Sequence, residues 1–287
     1  MKKQEDGILL IDKRENLTSH DIVQKIKKLG GYQKVGHAGT LDPLATGLLV
    51  ILINGATKVS DFVLTNDKTY EVEFVLGADS ETLDITSEVT FLDKTTFKPE
   101  EIKEAIEKFP KVYNQVPPLF SAVKVQGRAL YKYARNSQEV KVSSREVKIF
   151  RFDFVRTGKY KGYQIVKAIL KVSKGTYIRS IAKDFGELLN TKGIVKSLRR
   201  LQSGPFNVSD AIDYKKFNPD SVKLIDLLSL FPDHYEVSDE EIKKVLNGVR
   251  IKIKSSKPFI ALSYQNKLVA IYEKCGKEEY KAKRVWN

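Results

Sequence analysis

The six consecutive apolar residues Leu48 to Ile53 leave no polar face, so the segment they form has to be covered. A short run of this kind reads as a buried strand, and it is far too short to cross a bilayer. A glycine-bounded turn leads straight into it: Gly36-His37-Ala38-Gly39-Thr40-Leu41-Asp42-Pro43-Leu44-Ala45-Thr46-Gly47. Asp42-Pro43 starts a turn, because proline fixes its own φ and pushes the residue before it out of the helical region. Gly36, Gly39 and Gly47 admit backbone conformations or close approaches that a side chain would forbid. A carboxylate on a tight loop anchored by a buried strand is a good mount for one functional group. The same residues also describe an ordinary Asx turn, with Asp42 accepting local backbone hydrogen bonds.

The flanking sequence supplies helices and strands in alternation. Ile8 to Ile11 is a short apolar strand. Thr18 and Asp21 have capping-box spacing, and Ile22, Val23, Ile26 and Leu29 recur at helical intervals until Gly30-Gly31 stops the helix. Tyr70, Val72, Phe74 and Leu76 alternate with polar partners as in a half-buried strand. Pro99 opens a helix carrying Ile102, Ala105, Ile106 and Phe109, and Pro110 closes it. Gln115 to Gly127 reads as an extended, proline-stiffened loop leading into a basic, tyrosine-studded helix. There Lys124, Arg128, Lys132 and Arg135 could meet phosphates while Tyr131 and Tyr133 stack or pack; a solvated basic face is the alternative.

Further strands are expected around Val147 to Phe154 and Val166 to Val172. The second runs into Lys174-Gly175-Thr176-Tyr177-Ile178-Arg179-Ser180, where Gly175 lets it bend. A helix with Ile181, Phe185, Leu188 and Leu189 on one face is expected to end near Gly193. Phe231-Pro232-Asp233 is the expected linker. Beyond it come a helix capped by Ser238 and Glu241 and three strands, Val249 to Ile253, Phe259 to Tyr264 and Leu268 to Tyr272.

The charge balance narrows the function. Among 287 residues, 50 are Lys or Arg and 36 are Asp or Glu, for a net charge of +14. Such an excess points to a polyanion such as nucleic acid, although a generally lysine-rich composition would give the same sign. Cys275 stands alone, and His20, His37 and His234 lack metal-ligand spacing, so no thiolate cluster or zinc deaminase is expected. Asp79, Glu81 and Asp84 share a polar loop but do not complete an oxygen cage for a metal. Neither a Walker loop nor a dinucleotide fingerprint occurs. The start of the chain, Met1 to Asp6, lacks an apolar signal segment, and a cytoplasmic location is expected.

Four stretches resemble one known family. GHAGTLDPLATGLL with Asn54-Gly55-Ala56-Thr57-Lys58 is similar to the catalytic-aspartate motif of the TruB family of tRNA pseudouridine synthases. Pro118-Leu119-Phe120-Ser121-Ala122-Val123-Lys124, Lys174 to Arg179, and Ser197 to Leu201 with Ser203 to Phe206 match the same family in the same order. Lys68-Thr69-Tyr70 matches its Lys-x-Tyr. Lys13-Arg14-Glu15-Asn16 stands where the family has Lys-Pro-x-Gly, so the lysine is shared while the proline and glycine are not.

The resemblance implies an α/β fold of α+β type. Its parts are a mixed, mainly antiparallel central sheet with flanking helices (residues 1–230, catalytic) and a small PUA-like β domain (residues 231–287, RNA-binding). It implies isomerisation of uridine 55 in the TΨC loop of tRNA with Asp42 as the essential carboxylate. That group would attack C1′ or C6, or take a proton from C2′. Arg179 is expected as a bidentate partner of Asp42, Tyr70 as the stacking surface for the flipped base, and Tyr177 and Leu198 as pocket walls. His37 and Lys13 complete the expected substrate-binding set, and Arg199 joins the RNA-backbone candidates. The reaction has no redox step and no group donor, so no cofactor is expected. The expected partner is the TΨC stem-loop of tRNA, met by a monomer, with no membrane and no metal. A non-catalytic tRNA-binding protein or folding chaperone, and a guide-RNA-dependent synthase, are the other readings.

Overall fold

The computed structural model describes residues 5–65, 67–92 and 94–286; residues 1–4 of the N-terminal segment lie outside them. Its centre is a ten-stranded mixed sheet. Along the main path the order is Ile212–Asp213, Gly7–Lys13, Thr46–Ile53, Gly193–Ser203, Lys68–Leu76, Tyr163–Val172, Arg145–Tyr160 and Val112–Gln115. Val35–His37 adds to Thr46–Ile53, and Phe206–Asn207 to Gly193–Ser203. Two pairings are parallel, Gly7–Lys13 with Ile212–Asp213 and Thr46–Ile53 with Gly193–Ser203; the others are antiparallel. The expected mixed, mainly antiparallel sheet is therefore what the chain forms.

Leu48 to Ile53 are all buried, and alternate residues enter different cores. Leu49, Ile51 and Ile53 pack with Ile22 and Ile26 of the helix Ser19–Gly30. Leu48, Val50 and Leu52 face Ala261, Leu268, Ile271 and Trp286 from the C-terminal part. Successive side chains of a strand point to opposite faces, so a run without polar residues needs a cover on each side, and it has two.

The helix Ser19–Gly30 starts with the expected Thr18–Asp21 capping box and stops where Gly31 takes φ 62°. Leu29, expected on its apolar face, is instead exposed. The helix Ile178–Leu188 ends before Gly193, which opens the next strand, and Leu188 is exposed as well. The basic segment differs most from expectation. Lys124–Val125 and Arg128–Ala129 form a hairpin whose turn residues Gln126 and Gly127 both have positive φ, and the helix after it covers only Leu130–Ala134.

A five-stranded second sheet follows in the order His234–Glu236, Phe259–Tyr264, Lys267–Lys274, Glu279–Val285 and Ile251–Lys252. The helix Asp239–Leu246 packs on it through Val245, over a core containing Tyr272 and Tyr280. This curled sheet fits the expected PUA-like module. It is tied to the first sheet by Trp286 Nε1, which donates to the Gly55 carbonyl at 3.1 Å, and by Lys58 Nζ, which donates to the Val285 carbonyl at 2.7 Å. No helix among the described residues is long and apolar enough to cross a membrane.

Candidate active site

The Asp42 loop is pinned from three sides. Ser19 Oγ accepts from the Leu41 N–H at 2.8 Å, and the Ala38 N–H donates to the Val50 carbonyl at 2.9 Å. From below, Lys13 Nζ donates to the carbonyls of Leu17 at 2.7 Å and Pro43 at 3.2 Å. From the neighbouring strand, Arg200 donates through Nε to the Leu48 carbonyl at 2.7 Å and through an amino group to the Gly39 carbonyl at 3.0 Å. Gly47 allows this approach: its φ is 95°, and a Cβ there would lie 2.3 Å from the Arg200 carbonyl oxygen. Asn16 occupies the place of the missing family glycine and takes the left-handed conformation itself (φ 61°), which asparagine tolerates better than most residues; its N–H donates to the Pro43 carbonyl.

The Asp42 side chain is about one-third exposed, and its Oδ2 accepts from Arg179 Nε at 2.9 Å. The arginine arrives from the first turn of the helix Ile178–Leu188 and is almost fully buried. The expected bidentate pairing is not formed. One guanidinium N–H holds Asp42, while the two amino groups donate to the carbonyls of Thr82 and Phe120, each at 2.9 Å. Arg179 thus spans three loops that all need a donor, and buried Asp84, 3.8 Å away, adds a second negative charge beside it.

Asp42, Tyr70, Tyr177 and Leu198 line one cavity of about 280 Å³. Tyr70 and Leu198 come from adjacent strands, and the backbone of Tyr177 is clamped by both ends of the Gln115 amide, at 2.8 and 3.1 Å. A second, more open cavity of about 550 Å³ also reaches Asp42 and Arg179 and is bordered by Tyr131 and Arg135 of the basic segment. A third cavity, about 590 Å³, is walled by Phe109, Tyr113, Pro117 and Leu188, and Asp42 is not part of its lining. Asp42 is thus reached by the two smaller of these cavities.

Three expected site residues have other positions. Lys13 is fully buried under the loop with its ammonium donating to the carbonyls of Arg14, Leu17 and Pro43, so it supports Asp42 and does not face the cavity. Burial lowers its pKa to about 8, against the opposing pull of Asp42. Arg199, expected on RNA, grips Asp12 with two parallel hydrogen bonds of 2.9 and 2.7 Å. His37 sits on the strand just before the loop, paired opposite Ile51, outside the cavity lining; burial and then the Arg200 charge lower its pKa, which favours neutral imidazole.

Of the remaining backbone candidates, Lys124, Lys132 and Arg135 are exposed. Arg128 is stacked 4.7 Å over the Tyr133 ring and donates to Gln138 and the Lys132 carbonyl. Sequence reading missed Arg200 and Lys68, both buried cations lining the cavity with Asp42. Strand alternation carried the signal for Arg200, since residues 198 and 200 share a face and 199 points the other way.

Comparison with known proteins follows the same residues. Residues 27–178 match the model of the TruB family pseudouridylate synthase N-terminal domain. The chain is 36% identical over 283 residues to the tRNA pseudouridine synthase B of Mesoplasma florum, covering 97% of each. It is 37% identical over 272 residues to that of Clostridium kluyveri, covering 93% of this chain and 91% of the relative. Among solved structures, an H/ACA ribonucleoprotein bound to a substrate RNA containing 2′-deoxyuridine has a chain that superposes with a TM-score of 0.70 over 98% of this chain and 85% of its own. At 20% identity that likeness is one of fold.

Proposed function

The chain belongs to the TruB family of pseudouridylate synthases, and we propose that it converts uridine 55 in the TΨC loop of tRNA to pseudouridine with Asp42 as its essential carboxylate. The observation that carries this reading is the joining of Asp42, held by Arg179, to a cavity shared with Tyr70, Tyr177 and Leu198. The Asp42 carboxylate supplies the acidic side chain the chemistry needs, and the Arg179 N–H beside it orients that carboxylate. Taking the target base out of a folded loop costs a few kcal/mol, and stacking on Tyr70 returns about 1–3 kcal/mol. Lys124, Lys132 and Arg135 lie on the exposed basic segment beside the open cavity and are suited to phosphates. Residues 1–230 then form the catalytic domain and residues 231–287 an RNA-binding one, a division supported by the second sheet beginning at His234.

Pseudouridine mapping on an unmodified tRNA transcript, with no guide RNA, tests this reading. Wild type should give one new pseudouridine in the TΨC loop, and Asp42→Asn none. Tight tRNA binding without modification by wild type would favour a chaperone or a guide-dependent enzyme.

A further inference from the structure

The hydroxyl of Ser121 is buried and has no hydrogen-bond partner among the described residues, yet Ser121 borders both cavities that meet at Asp42. Everything else about the residue is fixed. Its N–H donates to the Leu119 carbonyl at 2.9 Å, and its carbonyl accepts from the Tyr131 N–H at 3.1 Å. The carbonyl of the preceding residue, Phe120, accepts from Arg179 at 2.9 Å. The same guanidinium that orients Asp42 therefore also sets the position of Ser121. Buried polar atoms are nearly always paired, and an unpaired one beside a reactive carboxylate calls for a partner that arrives with the substrate.

We propose that Ser121 Oγ donates a hydrogen bond to one carbonyl of the target uracil before the turn that isomerisation requires and to the other carbonyl after it. The proposal rests on the pseudouridine synthase reading of the cavity. In the reaction the N1–C1′ bond breaks, a C5–C1′ bond forms, C5 loses its proton and N1 gains one. Turning uracil about the axis through N3 and C6 carries C5 into the place of N1, and it exchanges O2 with O4. A donor set on that carbonyl therefore finds an acceptor in the same place before and after the turn. A hydroxyl suits this task, since rotation about one bond re-aims its hydrogen without moving the main chain.

The test combines one variant with one substrate change, using the full-length protein and a T-arm stem-loop RNA. Ser121→Ala should slow single-turnover isomerisation at limiting enzyme about tenfold, the size of one hydrogen bond held in the reacting complex, and weaken RNA binding by no more than that factor. Its melting temperature should stay level or rise, because the deleted hydroxyl has no partner among the described residues. Placing 2-thiouridine or 4-thiouridine at the target weakens one acceptor. At least one of the two should slow wild type and have little further effect on Ser121→Ala. A variant as fast as wild type, a variant that loses thermal stability along with activity, or sulfur effects of equal size in both proteins would overturn the proposal. Failure of wild type to isomerise the unmodified stem-loop would instead refute the reading of the site on which it rests.

Discussion

Arg179 Nε stands 2.9 Å from Asp42 Oδ2, and the rest of that guanidinium is anchored on the carbonyls of Thr82 and Phe120. One N–H orients the carboxylate; the others fix the residue that does the orienting. The position of Asp42 thus depends on two loops that never touch it in sequence, one near residue 82 and one near residue 120.

Arg179→Lys is expected to lower turnover about 10- to 100-fold while RNA affinity changes little. Lysine keeps the charge but cannot meet three acceptors in a fixed plane, and removing a charge-assisted hydrogen bond costs about 1.5–3 kcal/mol. Single-turnover rates on a tRNA transcript measure it. Equal rates for the two proteins would remove the clamp from the catalytic account.

Two glycines of the same loop should respond in opposite ways. Gly47→Ala puts a Cβ against the Arg200 backbone at a φ that alanine resists, and about 2–4 kcal/mol of stability should be lost. Gly36→Ala meets only Thr57 Cγ2, at 3.5 Å, and should stay within about 1 kcal/mol of wild type. Urea denaturation of both variants decides the matter, and a tolerated Gly47→Ala would mean that the two strands can move apart.

The candidate site was legible in the sequence mainly through the family resemblance, since its short motifs taken singly also fit a turn, a strand edge or a core position. Asp42, Tyr70, Tyr177 and Leu198 come from four separate stretches and meet in one cavity. Two of the errors share a cause, which is a partner far away in the chain. Lys13 and Arg199 look like free cations until Pro43 and Asp12 are found beside them. The strand Glu279–Val285 was missed because its run of lysine and arginine hides the buried Tyr280. The bonded side of the basic hairpin was hidden as well, since only paired backbones make Gln126-Gly127 a turn.

Stability should rise with pH above about 8 through two buried lysines. Desolvation holds Lys13 and Lys68 near pKa 8 in the fold, against 10.5 in the unfolded chain. Below pH 8 both are charged in either state, and the fold bears the cost of burying them. Between pH 8 and 10.5 the unfolded chain binds more protons, so that cost is relieved as pH rises. Wild type should therefore gain on a Lys68→Met variant between pH 7.5 and 9.5 in urea melts. A constant gap would show that Lys68 keeps its ordinary pKa in the fold.

Salt dependence separates free cations from committed ones. Removing a side chain that neutralises one phosphate should reduce the slope of log affinity against log salt by about 0.7–0.9. Lys124→Ala, Lys132→Ala and Arg135→Ala are expected to do so, whereas Arg199→Gln, whose guanidinium is engaged by Asp12, should leave the slope alone. Filter binding of tRNA across a salt series reads this directly. A slope change for Arg199→Gln as large as for Lys132→Ala would mean that RNA displaces Asp12.

The strand that feeds the Asp42 loop has one face covered by an early helix and the other by a cluster that is completed by residues 261 to 286. During synthesis the two covers arrive at very different times. Ile22 and Ile26 precede Leu49 and Ile51 and can pack as soon as the strand leaves the ribosome. Leu48, Val50 and Leu52 meet Ile8, Leu10, Val59 and Val63 early but lack Ala261, Leu268, Ile271 and Trp286 until more than two hundred further residues have been made. For that interval the nascent chain carries a half-covered apolar stripe beside the Asp42 loop, and the second core closes only as the C-terminal strands emerge.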